Sequence, residues 1–216
     1  GIGAESLTAL NPRLIYASST GYGNAEGPYR DYLGMDITLQ AISGVMSVTG
    51  EEEGPPLKTA AAFADFIAGT HLYAAIVTAL YRRRDTQQGG VVDISMQDCV
   101  FPTLATAIGS FYVNGGQMPR AGHRHPGKAL APYNTYVASD GYIAIICIRE
   151  GHFRKLCEAM ERPDLIDDER FKNFQVRCEN MAELDAEITR WTALHTRQAL
   201  LEKTQAYGVI CAPVNN

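Results

Sequence analysis

Cysteine is scarce and unpatterned. Cys99, Cys147, Cys157, Cys178 and Cys211 are the five in 216 residues, an odd count with no Cys-x-x-Cys pair. That spacing argues against a disulfide framework and a zinc site, and reads as reduced thiols of a cytoplasmic protein. Sustained basic runs are missing too. The chain sets 19 Lys+Arg against 24 Asp+Glu, for a net charge of −5, so neither nucleic acid nor a membrane surface is an expected partner. No basic-then-apolar leader and no Met open the chain, which reads as an internal piece of a longer soluble protein. The one long apolar stretch, Phe66 to Tyr81, lacks formal charge but counts sixteen residues, short of the roughly 20 that cross a bilayer. A helix apolar all round is expected to lie buried in a core.

What is present alternates. Leu14-Ile15-Tyr16-Ala17 is a β-type run without polar alternation, as in a strand buried on both faces. A glycine-rich loop follows, then a helix near Asp36 to Met46, the apolar helix, a strand over Val91 to Met96 and a helix over Cys99 to Val113. Strands alternating with helices predict an α/β domain. The character changes at Asn114-Gly115-Gly116, where glycine and proline mark a boundary. Beyond it, Tyr133 to Val137 and Tyr142 to Ile148 flank Ser139-Asp140-Gly141, a hairpin signal. Helices over Phe153 to Met160, Ala182 to Leu194 and Thr196 to Tyr207 complete a small α+β unit, with Thr196 as N-cap and Gly208 past the C-terminus. The expected division is 1–116 and 117–216.

Several motifs fall short. Gly21-Tyr22-Gly23 follows a strand, but the third glycine of a dinucleotide fingerprint is replaced by Glu26, whose charge would face a pyrophosphate. Gly122 to Ala129 nearly spells a P-loop, yet Ala129 stands where Ser/Thr holds Mg²⁺ and Pro126 removes a cradle N–H. His123 and His125 share one side of an extended segment, with no nearby Cys or carboxylate to complete a metal shell. No metal site is expected. No Gly-x-Ser-x-Gly elbow exists, and Trp191 with the late leucines reads as core.

Asp65 precedes the apolar helix. One reading is a structural N-cap. The other uses the same position chemically: negative charge is favoured at a helix N-terminus, small neighbours Ala64, Ala68 and Gly69 admit a bulky ligand, and a carboxylate in an apolar recess can act as a covalent nucleophile.

Asn11 to Ser18, Thr20 to Gly23, Gly27-Pro28, Asp36 with Gln40 to Gly44, Gly54-Pro55-Pro56, Asp65 with Gly69, and Gly90 to Met96 resemble the class III CoA-transferases, the CaiB/BaiF family. So do Arg120, His125-Pro126, Pro132-Tyr133, Asp140-Gly141, Asp168 to Phe171 and Gly208 to Val214. The resemblance runs the whole length, in order. It implies part of a Rossmann-like large domain followed by a small α+β domain, coenzyme A as the acyl-CoA substrate, a carboxylic acid acceptor, and an interlocked homodimer. Members are about twice this length and supply much of the CoA site from a part absent here. Asp65 matches the family's nucleophile, and Thr20, Gly21 and Tyr22 match positions lining the CoA pocket. Arg120, Gly122, His123 and His125 fall in the loop that covers the site.

Two alternatives stand beside CoA transfer. α-Methylacyl-CoA racemases of the same fold carry a His-Asp pair where this chain has Met35-Asp36, and a supporting glutamate near Glu150. Proton exchange on both faces of a carbon needs two bases, and Met35 supplies none. The other alternative is a non-catalytic piece that keeps only an assembly surface.

Overall fold

A computed structural model describes residues 2–215. They form two compact units, one running to Ile108 and the other starting at Gly109. The division falls within a helix rather than after Gly116.

The first unit opens with α1 (Ala4–Leu10) and β1 (Ile15–Thr20), then α2 (Asp36–Ile42) and α3 (Val45–Val48). The single helix expected from Asp36 to Met46 is split because Gly44 takes a left-handed conformation, φ 91°. The long helix α4 (Phe63–Thr86) leads to β2 (Gly90–Ser95). β1 and β2 pair in parallel, Ile15 opposite Gly90 through Thr20 opposite Ser95; the helical connection between them is what a parallel pair requires. α5 (Met96–Val100), a 3-10 turn over Phe101–Leu104 and α6 (Ala105–Val113) follow, dividing the expected Cys99–Val113 helix.

Two expectations are corrected here. β1 is half-exposed rather than buried on both faces, because one side of the strand pair is an open cleft. α4 is not a buried core helix. It packs on β1, β2, α2 and α5 through a narrow stripe in which Ala64 and Ala68 are buried, while Phe66 is 77% and Tyr73 70% exposed. Alanines four apart let the helix approach closely, and no other element of the first unit lies over the opposite flank. α4 also runs to 24 residues, long and apolar enough by length and composition to cross a membrane. Its charged end is held by Arg82 Nη2 donating to Gly89 O at 3.0 Å and Arg83 Nη1 to Arg13 O at 3.0 Å.

The second unit holds β3 (Tyr133–Ala138), β4 (Gly141–Ile146), α7 (Glu150–Ala159), α8 (Phe174–Glu179), α9 (Met181–Thr192), α10 (Arg197–Tyr207) and β5 (Ile210–Pro213). The antiparallel sheet has order β3-β4-β5. Ala138 pairs with Gly141, so the turn residues are Ser139-Asp140 rather than Asp140-Gly141. Ile143 and Ile145 point into a core with Phe153, Leu156, Phe171, Leu184, Ile188 and Leu200, each such side chain contributing about 1.5–3 kcal/mol on burial. Thr196 accepts from Ala199 N–H at 3.2 Å and Gly208 ends α10 in the left-handed region, both as expected. All five cysteines are unpaired thiols.

Candidate active site

Asp65 is the third residue of α4, not its N-cap. Ala62 holds the cap position without a side-chain bond. The cap comes from a distant residue: Asp36 Oδ1 accepts the Ala64 N–H at 2.8 Å. Relieved of that structural task, the Asp65 side chain is exposed and makes no hydrogen bond or ion pair among the described residues. It opens onto a recess of about 400 Å³ lined by Asp65, Phe66, Gly69, Thr70 and Tyr73. Asp65, Gly69 and Tyr73 follow at steps of four along one helix face, with Phe66 and Thr70 beside them. A methyl group at Gly69 would meet nothing within 4 Å, so the floor of the recess stays flat. In this chain the recess is open to water, not enclosed.

Thr20 closes β1 and opens into a separate cleft of about 570 Å³ shared with Tyr16, Ser18, Asn24 and Asp93. Asp93 shapes its rim, accepting Asn24 N–H at 2.7 Å and Asn24 Nδ2 at 2.6 Å. Gly21 lies against Gly34, where a Cβ would stand 3.0 Å from the Gly34 Cα, so a larger residue would push the two ends of the loop apart. Tyr22 packs on Tyr29 with ring centroids 5.5 Å apart, and Tyr29 on Tyr32 at 5.4 Å. The aromatic run stiffens the glycine-rich loop, pairs of this kind contributing about 0.5–1.5 kcal/mol.

The loop residues belong to the second unit. Gly122 and His123 are exposed, and Gly122 has φ 58°. His123 lines an apolar trough of about 400 Å³ on the sheet, with Tyr133, Ile146, Ile210 and Cys211. His125 is half-buried, its ring 5.7 Å from Tyr133 and its Nδ1 accepting Gly127 N–H at 3.2 Å. Arg120 is half-buried. The loop's anchor escaped sequence reasoning. Asp185 Oδ2 accepts Arg124 Nη2 at 2.7 Å, Arg124 Nε at 3.0 Å and Asn134 Nδ2 at 2.9 Å, while Oδ1 accepts Tyr136 O–H at 2.7 Å. Burial first, and then the Asp185 charge, hold the Tyr136 hydroxyl well above its ordinary pKa. Nothing local signals a partnership 61 residues apart.

Glu150 is committed elsewhere: its carboxylate accepts the Arg177 guanidinium at 2.9 Å. Met35 is 70% exposed and offers no proton-transfer group. The arrangement therefore presents the unengaged Asp65 carboxylate on a helix N-terminus beside an accessible recess, with no second base hydrogen-bonded to it among the described residues.

Comparison with known proteins identifies the family. Residues 1–216 match the family model described as CoA-transferase family III. The chain is similar to the succinate–glutarate CoA-transferase of Agrobacterium fabrum, 33% identical over 216 residues, which cover 100% of this chain and 53% of that protein. It is 34% identical over 217 residues to the succinyl-CoA:mesaconate CoA-transferase of Haloarcula hispanica, covering 99% and 54%. Among solved structures, a CaiB/BaiF family protein from Brucella suis superposes with TM-score 0.83 at 37% identity, covering 100% of this chain and 56% of that one. The chain thus spans about half the length of the curated relatives it matches. A family match from end to end, carried on the same fold, makes this chain a member of CoA-transferase family III.

Proposed function

We infer that the protein containing this chain transfers coenzyme A from an acyl-CoA thioester to a carboxylic acid, with Asp65 as the covalent nucleophile. The observation that carries the reading is the exposed, unengaged Asp65 carboxylate over the Gly69 recess. In the first step an Asp65 oxygen attacks the thioester carbonyl, the C–S bond breaks and CoA leaves as thiolate, giving a mixed anhydride. The thiolate attacks the aspartyl carbonyl and releases the donor carboxylate, leaving an aspartyl-CoA thioester. The acceptor carboxylate then displaces the thiolate through a second anhydride, and the thiolate takes the acceptor's acyl group and restores Asp65. No net proton moves, so one carboxylate suffices where epimerisation needs two bases.

The names of both relatives describe CoA transfer to carboxylates, which supports transfer over epimerisation and a dicarboxylate as acceptor. Thr20, Gly21 and Tyr22 are assigned to the CoA side. Arg120, Gly122, His123 and His125 are assigned to a covering loop that keeps water from the anhydride. The reading includes a homodimer in a reducing cytoplasm; the exposed apolar flank of α4 and the five unpaired thiols support it. The test is a donor–acceptor screen on the full-length protein, with new CoA esters separated by HPLC and deuterium wash-in at the α-carbon run in parallel. New esters without wash-in support transfer; wash-in without new esters overturns it.

A further inference from the structure

Asp36 stands 29 positions before Asp65 in sequence, yet its side chain ends at the first turn of α4. Its two oxygens serve two donors: Oδ1 takes the Ala64 N–H at 2.8 Å, and Oδ2 takes Gln40 Nε2 at 2.8 Å. Gln40 is fully buried. Its Oε1 accepts the Thr59 N–H at 2.9 Å, which settles the end of the amide that is oxygen. The Thr59 hydroxyl donates onward to Ala61 O at 3.1 Å. The result is a ring running from α2 through the 59–62 approach to the residue preceding Asp65.

The ring meets a need that the helix cannot meet locally. The first N–H groups of an α-helix lack intrahelical partners, and neither Ala62 nor any other side chain of the first turn caps them in α4. The N–H that Asp36 takes is that of Ala64, immediately before Asp65, so the turn carrying Asp65 is held from outside the helix. We propose that Asp36 is a positioning residue for the nucleophile: it holds the first turn of α4 and leaves Asp65 unengaged and correctly aimed. This rests on Asp65 being the nucleophile, and it adds a role for a second carboxylate that never touches the substrate.

The hydrogen-bond polarity of the ring makes the idea testable. Asp36→Asn keeps an acceptor for Ala64 but turns an NH₂ toward the Gln40 NH₂. Gln40 cannot flip, because that would aim its NH₂ at the Thr59 N–H. Asp36→Asn combined with Gln40→Glu restores every donor–acceptor pairing with the charge moved one residue along. The measurement is the rate of CoA adduct formation at Asp65, followed by quenched flow and peptide mass spectrometry in the full-length protein mixed with acyl-CoA, alongside kcat and KM. Asp36→Asn is expected to slow adduct formation and kcat about 10- to 100-fold, with the adduct still on Asp65, because small displacements of a reacting group have effects of this size. KM for acyl-CoA stays within about twofold, since only transition-state geometry is altered, and the double variant recovers most of the rate. Adduct formation by Asp36→Asn at the unsubstituted rate overturns the inference, as does a slow variant that Gln40→Glu fails to rescue. An unsubstituted protein that turns over without any adduct at Asp65 overturns the nucleophile assignment itself, a separate and visible failure.

Discussion

Arg177 and Glu150 form a lopsided ion pair, the guanidinium 1% exposed and the carboxylate 53%, joined at 2.9 Å. Arg177 also donates to Phe171 O at 2.9 Å, and its guanidinium carbon lies 4.2 Å from the centre of the Phe153 ring. The arginine is therefore a core residue of the second unit, and the glutamate is its outlet to solvent.

Removing the two partners has unequal consequences. Arg177→Ala strands a buried carbonyl and opens a cavity beside Phe153, with an expected loss of about 3–5 kcal/mol. Glu150→Ala leaves the buried guanidinium with only its carbonyl and ring partners, a loss of about 1–3 kcal/mol, smaller than that of Arg177→Ala because no cavity opens in the core. Chemical denaturation of both variants checks the order. Equal losses would contradict the assignment of Arg177 as the buried member.

Asp65→Ala should abolish CoA transfer while the fold persists. The side chain is exposed and unbonded, so only its interaction with the helix N-terminus is lost, about 1 kcal/mol or less. Hydroxylamine added during turnover should mark Asp65 in the unsubstituted protein. Near-normal turnover of Asp65→Ala would refute the nucleophile.

Gly69→Ala separates stability from activity. Space for the methyl group is open, and alanine in a helix interior is favoured over glycine by about 1 kcal/mol. The melting temperature should rise while turnover falls, because the methyl group stands on the floor of the Asp65 recess. A stabilised variant with unchanged kcat and KM would show that the reacting groups do not pass over this position.

Alkaline stability should be set by thiols. Burial pushes Cys147 and Cys157 up to about 12, whereas unfolded cysteines ionise near ~8.5. Above the unfolded value the unfolded chain has lost protons that the folded chain retains, so stability falls as pH rises, and it is fully present below that value. Replacing both by alanine should flatten the decline between about pH 9 and 10, measured by denaturation at several pH values. An unchanged slope would place the alkaline loss on other groups. Tyr136, also raised by burial, adds to the decline only at higher pH.

Much of the fold was legible in local pattern. Thr196 and Gly208 bracket α10 as their chemistry requires, and the hairpin needed only a turn signal between two β-rich runs. β5 was not anticipated: its four residues, Ile210–Pro213, are too few for a periodicity, and their pairing partner β4 lies 68 positions away in sequence where Ala144 opposes Ala212. The apolar run at Phe66 to Tyr81 was recognisable as a helix, but apolarity alone does not reveal how much of it the rest of the chain covers.

The order of motifs along the chain sufficed to set the family and to mark Asp65 as the candidate, because an acid at the head of an alanine-rich helix is written in adjacent residues. Tertiary structure alone decided that Asp65 is not its own helix's cap. That depends on Asp36 reaching Ala64 across 28 positions, as the Arg124 anchor depends on Asp185 across 61. Side-chain hydrogen bonds form wherever folding brings donors and acceptors within about 3 Å, and no spacing in the sequence records that distance.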